Sequence, residues 1–371
     1  MQPFSKPLMP SHFESWCEPP DASGEETLRI VSAQRSLTLK GRSFREFHRH
    51  VVPLLDGQRS FDELCTETAD LFDRADLESA LSLLAAQKIV VEGDNRPAGP
   101  PRLQPQLNYF HEVAENADEA QRRLSAAHVV VFGLGGAGAT VMHALAAAGV
   151  GRIAGVDHSV VSAADTYLSP AFSLADIGRL RAEALAARIG DTAPEVAANA
   201  VTAQLSTDKD VAAAIDGADL VISCLDTGML NLAFKLNEAC RAKDIHWISG
   251  ELSGTEVIAG PAFYAGHGGP CFMCYRMRMV ACAGNPQSRF AHERHYDKMK
   301  ADAGDKREKL VFGAGMLANL IGAEALNLLT GQADPALGGR LLSFDLTTLT
   351  MQKHAVLRKP GCPVCSGWSA G

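Results

Sequence analysis

Along the first ninety residues the hydrophobic positions change period several times. "TLRIVSAQRSLTLKG" alternates apolar and polar residues and stops at Gly41, which predicts two short strands or a hairpin. "SFREFHRHVVPLLDG" and "SFDELCTETADLF" then carry helical spacing, each opening on a serine with a glutamate three residues on, Ser43 with Glu46 and Ser60 with Glu63. "DRADLESALSLLAAQKIVVEG" gives a third helix running into a strand at Ile89 to Val91. Strands flanking three short helices make a small winged-helix-like module, expected over residues 1–92. After Gly93, "DNRPAGPPRLQPQL" places Pro97, Pro100, Pro101 and Pro105 so as to forbid helix and favour an extended linker over 93–106.

From residue 107 to the end the pattern is a different one. A helix is expected around "EVAENADEAQRRLSAA", and then "HVVVFG", "RIAGVD", "AANAVT", "ADLVISCLD" and "IHWISGE" are short apolar runs of the kind buried on both faces of a parallel sheet. Ala-rich helical segments separate them, so the fold class is α/β with a doubly wound, Rossmann-like sheet. Beyond Gly260 come a CxxC, a polar stretch from Asn285 to Lys309, an apolar helix, and "GRLLSFDLTTLTMQKHAVLRK", which reads as a hairpin. The apolar run "LVFGAGMLANLIGAEALNLLTG" contains Asn319, Glu324 and Asn327, which suit a buried helix better than a membrane span.

Composition narrows the function classes. A formal charge of −8 over 371 residues lacks the basic surface that counterion-release binding to nucleic acid requires. No charged n-region followed by an apolar stretch opens the chain, so a cytoplasmic protein is expected, and its nine cysteines read as thiols or metal ligands rather than disulfides.

Two motifs carry chemistry. "VVVFGLGGAGATVMHALAAAGVGRIAGVD" is strand, glycine turn and helix, with Gly133, Gly135, Gly136 and Gly138 in the turn and Asp157 nineteen residues past Gly138. Glycines let the backbone approach phosphates, a helix N-terminus stabilises their charge, and an acid at that distance holds a ribose hydroxyl. A nicotinamide dehydrogenase is the default reading of such a turn, but its paired central glycines and the cysteines elsewhere point away from it. The second motif is a pair of CxxC knuckles, Cys271 with Cys274 and Cys362 with Cys365, the donor set of a closed structural zinc site. A redox CxxC is the alternative, disfavoured because two pairs are present and neither opens a helix after a strand. Zinc held by both pairs would pin the last residues back onto the domain.

"GLGGAG", Asp157, "SCLDTGMLN", "ISG" and the two CxxC pairs together resemble the ubiquitin-activating-enzyme-like ThiF/MoeB family over roughly residues 107–371. The resemblance implies ATP and magnesium as cofactors, adenylation of a carboxylate on a small protein or peptide, a four-cysteine zinc, and a homodimer. It places Arg181 at the family's lysine and gives Asp226 a role in orienting ATP or magnesium. It also puts Asp165 and Leu168 where the family has a phosphate-facing Asn and Arg, a loss that puts efficient adenylation in doubt. The leading module looks like the small PqqD-type leader-recognition domain, and the whole is similar to the ThiF-like partners of azole- and azoline-forming peptide systems. That resemblance implies binding of a ribosomal precursor peptide's leader and presentation of its core to a YcaO-type cyclodehydratase, with the chain's own adenylation as the alternative. Cys282 is a candidate thioester cysteine, and "RFAHERHYDKMKADAGDKREK" a candidate loop crossing the peptide path.

Overall fold

The computed structural model describes residues 4–93, 99–114, 116–225, 229–266, 268–298 and 309–366. It divides into two compact units, 1–121 and 122–371.

In the first unit, β1 (Pro7–Leu8) is followed by β2 (Glu14–Glu18), β3 (Glu26–Val31) and β4 (Ser36–Gly41), the last three forming an antiparallel sheet in that order. Three helices come next, α1 (Phe44–His50), α2 (Phe61–Glu67) and α3 (Arg74–Ala86). β5 (Val91–Glu92) then returns to pair antiparallel with β1. The α3 pattern explains its face: Leu77, Leu81 and Leu84 recur at helical spacing and are buried with Leu28 and Ile30 of β3 and with Phe47, Phe61 and Leu64. The Ser60–Glu63 capping box is present, and Asp73 caps α3 by accepting from the Asp76 N–H at 2.7 Å. Ser43 does stand at the N-cap of α1, but in a left-handed conformation (φ 66°) with no side-chain capping hydrogen bond, and Glu46 pairs with His50 one turn on at 3.1 Å. β1 and β2 were not legible, because a two-residue strand has no period and "ESWCE" is mostly polar. Pro105, read as linker, lies in the first turn of α4 (Gln104–Val113), where its missing N–H has no intrahelical partner to lose.

α5 (Ala117–Ala126) leads into the second unit's sheet. Its strands and helices run β6 (His128–Phe132), α6 (Gly136–Ala147), β7 (Arg152–Val156), α7 (Ala163–Leu168), α8 (Arg181–Thr192), β8 (Ala197–Val201), α9 (Asp208–Ala214), β9 (Leu220–Ser223), α10 (Leu230–Ala242) and β10 (His246–Ser253). β11 (Glu256–Phe263), α11 (Phe272–Ala281), α12 (Pro286–Lys298), α13 (Val311–Thr330), β12 (Arg340–Asp345) and β13 (Thr350–Ala355) complete it. The eight strands are ordered β13-β12-β11-β10-β9-β6-β7-β8, parallel from β8 to β10 and antiparallel from β10 to β13. Strand order reverses between β6 and β9, the switch point at which open α/β sheets bind ligands.

β6 shows why the sheet is doubly covered. Val129 and Val131 belong to one core cluster with α6, α8 and α13, while Val130 and Phe132 belong to the other with α9 and α10. α13 is long and apolar enough to cross a membrane by composition alone, but it packs on α6, β10 and β11. Its Glu324 is buried and accepts from the Leu337 and Ala336 N–H groups and from the Tyr264 hydroxyl, which accounts for an acid inside an apolar helix. β11, unmarked in the sequence reading, joins the parallel part of the sheet to the C-terminal hairpin.

Candidate functional site

The glycine turn sits at the C-terminal end of β6, beside the switch point. Gly133 has φ 77°, and a Cβ there would stand 2.6 Å from the Cys224 carbonyl oxygen at the end of β9. Gly138 is tighter, since its Cβ would fall 1.8 Å from the Gly133 oxygen. Gly135 caps α6 in an extended conformation, so the free N–H groups of the helix start open at this place. Leu168, at the end of α7, lies under the turn, its Cβ 2.8 Å from where a Cβ of Gly136 would be.

The structure brings Asp157 and Arg181 to the same spot. Asp157 Oδ2 accepts from the Leu134 N–H inside the turn at 2.8 Å, and Oδ1 from the Ser159 N–H at 2.8 Å. The acid therefore fastens the turn to the end of β7, a role that the spacing alone did not reveal. Arg181 donates from Nη1 to Asp157 Oδ2 at 3.3 Å, and from Nε and Nη2 to Asp165 Oδ2 at 3.2 and 3.0 Å. Asp165 is 2% exposed and also closes a capping box with Ser162 at the start of α7. Two carboxylates share one guanidinium here, and the position facing Gly136 at the helix start is filled by the apolar Leu168, with Lys309 also lining the cavity. The cavity there, lined by Gly135, Gly136, Leu168, Cys224, Leu252 and Lys309 among others, encloses about 30 Å³, against roughly 300–1,000 Å³ for small-molecule sites in general. Asp226 lies outside the described residues.

The four predicted metal ligands converge although 91 positions separate the knuckles. All four Sγ atoms lie within 4.8 Å of one another, with Cys271–Cys274, Cys271–Cys362 and Cys274–Cys365 separations of 3.9, 3.7 and 3.4 Å. A tetrahedron with zinc–sulfur bonds of about 2.3 Å has edges of about 3.8 Å, so the donor set and its spacing fit zinc. The Lys359 N–H donates to Cys274 Sγ at 3.3 Å, the kind of second contact that steadies a thiolate ligand. Cys271 is the N-cap of α11, so the first pair does stand at a helix start, but residues 264–270 separate it from the end of β11. Cys282 is exposed at that helix's other end. Within the polar stretch, α12 is described to Lys298, and residues 299–308 lie outside the described residues.

Comparison with known proteins agrees with this geometry. The ThiF family model matches residues 103–364. The SAMP-activating enzyme E1 of Haloferax volcanii is 29% identical over 253 residues, covering 68% of this chain and 84% of that protein. The molybdopterin-synthase adenylyltransferase of Escherichia coli K12 is 28% identical over 249 residues, 67% and 90% of the two chains. Among solved structures, E. coli MccB with ATP superimposes with a TM-score of 0.68 at 15% identity, covering 97% of this chain and 99% of that one. PaaA gives 0.67 at 15%, with 93% and 99% covered.

Proposed function

This chain belongs to the ThiF family, and from that premise we propose that it serves the modification of a ribosomally made peptide, binding the precursor's leader through its first unit and presenting the core to a YcaO-type cyclodehydratase in the cytoplasm. The observation that carries this reading is the state of the phosphate end of the site. Leu168 fills the place beside the helix start, and Arg181 is held by Asp157 and Asp165. Preorganised positive charge is the main means by which proteins stabilise a departing pyrophosphate, and removing one such group costs orders of magnitude in rate. A chain built this way keeps the fold's framework while the chemistry lies in its partner.

Leader capture draws support from the first unit's sheet. β4 is an edge strand whose Leu37 and Leu39 are half-buried while Ser36, Thr38 and Lys40 are exposed, the surface on which a peptide adds as a further strand in a PqqD-like domain. A homodimer fits the exposed apolar residues Tyr167, Leu174, Ile177 and Phe312 of the second unit. Zinc is the metal we assign to the four cysteines.

A second reading is favoured by the likeness to MccB, which covers nearly the full length of both chains and whose solved structures include complexes with ATP and with MccA. On that reading the chain adenylates a peptide carboxylate itself, with Gly133 to Gly138, Asp157, Arg181 and Asp226 around ATP and magnesium. Precursor-dependent exchange of pyrophosphate into ATP separates the two. We expect none above background while a candidate precursor peptide binds the full chain in fluorescence anisotropy and its backbone N-methylated form does not. Robust exchange would replace the first reading by the second.

A further inference from the structure

A second helix start borders the cavity at the glycine turn. α13 has Leu310 as its N-cap, and the Ala314 N–H closes its first turn by donating to the Leu310 carbonyl. Ala314 stands so near α6 that a Cβ on Gly136 would lie 3.3 Å from the Ala314 Cβ. Neither α6 nor α13 has a side-chain capping bond or an acid in its first turn, so the partial positive ends of two helices meet at one place. The residue before the α13 N-cap is Lys309, half-buried, and it lines this cavity together with Gly135, Gly136 and Leu168. Asp157, Asp165 and Arg181 do not line it, and Lys309 is the only charged side chain that does among the described residues. The enclosed volume of about 30 Å³ suits one end of a nucleotide rather than the whole. Backbone that glycines leave open, two helix starts and one cation all favour a phosphate group at that end.

We infer that Lys309 is the phosphate-binding cation of this site, holding a phosphate of ATP against the start of α6 from across the cavity, where Leu168 supplies no charge. A lysine is a compact point charge on a flexible stem, so it anchors a phosphate without the fixed fork of a guanidinium. Binding is thereby separated from reaction. The inference rests on the nucleotide site of the second reading above, but it holds whether or not pyrophosphate ever leaves. In the sequence Lys309 stands in "GDKREKL", where nothing marks it out from Lys306. It is the packing of α13 on α6 that brings Lys309 to the glycine turn.

The test is calorimetric titration of the full chain with ATP and magnesium, with no precursor present. We expect saturable binding at one site per chain. Lys309→Met keeps the aliphatic stem and removes the charge, and should weaken ATP at least tenfold without moving the melting midpoint. Lys309→Arg should stay within about threefold of the unaltered chain, because it keeps the charge. A role in packing alone gives the opposite result for Lys309→Met, which would then bind ATP at full affinity. Lys309→Gln is a second charge-free variant, expected to behave as Lys309→Met does, and it keeps the test decisive if that variant does not fold. No ATP binding by the unaltered chain would remove the nucleotide site and the inference together. Full affinity in Lys309→Met or Lys309→Gln, or a loss in Lys309→Arg as large as theirs, would overturn the inference and leave the site standing.

Discussion

Arg181 Nη2 stands 2.9 Å from Asp165 Oδ1, and the acid is buried. The same guanidinium also reaches Asp157, so one cation bridges the acid that starts α7 and the acid that holds the glycine turn. Arg181→Ala leaves Asp165 buried without a counterion, and breaking a buried pair of this kind costs about 3–5 kcal/mol. For a unit of this size that is a fall of roughly 10 °C in melting midpoint. Adding Asp165→Asn should recover a large part of the loss, since the penalty is the uncompensated charge. Differential scanning calorimetry on the single and double variants checks it.

Leu168 and Gly136 exclude each other's side chains. Gly136→Ala puts a methyl group 2.8 Å from the Leu168 Cβ and should destabilise by about 1–3 kcal/mol, the usual range for overpacking. Truncating the neighbour relieves the clash only in part, because the Leu168 Cβ itself is the near atom; Leu168→Gly with Gly136→Ala should therefore be more stable than additivity from the single variants allows. Gly138→Ala has no such remedy, its Cβ falling 1.8 Å from a backbone oxygen, and should not fold. Denaturant midpoints for the set decide the matter.

Metal removal should act on the tail. A four-thiolate site contributes folding free energy directly, so one equivalent of zinc per chain is expected by elemental analysis, and its chelation should lower the melting midpoint and open the segment after β13 to proteolysis. Cys274→Ser, replacing a ligand that is fully buried, should reproduce the effect without chelator. Unchanged proteolysis of the C-terminal segment in the metal-free chain would contradict the clamp.

His111 gives the first unit an acid-sensitive element. Burial, followed by the nearby His12 and Arg35, pushes its pKa down to about 4, with Glu112 opposing. Arg35 meanwhile donates to the Lys88, His111 and Glu112 carbonyls, and His12 Nε2 faces Glu112 Oε1 at 3.0 Å. With the folded pKa below the unfolded value of about 6.5, the unfolded chain takes up the proton first as pH falls. Stability is thus full above pH 6.5 and is lost between about 6.5 and 4, by something on the order of 3 kcal/mol. In His111→Phe the slope between pH 6.5 and 5 should flatten, as measured by urea midpoints across that range.

What the sequence determined by itself was whatever depends on local period and spacing. Val129 to Phe132 alternate between two cores, the glycines mark a turn no side chain fits, Ser60 and Glu63 cap α2, and two CxxC pairs supply a metal's donor count. Ser43 shows the limit of this, because a capping motif is a local pattern and the backbone entering α1 takes a conformation that the motif cannot specify. Only the tertiary structure decided which distant residues meet. It spends Asp157 on the Leu134 N–H and Arg181 on Asp165, it sets Leu168 under Gly136, and it brings four cysteines from the two knuckles together. The reason is physical: hydrogen bonds and ion pairs between residues far apart in the chain are chosen by burial and competition among partners, and neither is written in the spacing of the residues that make them.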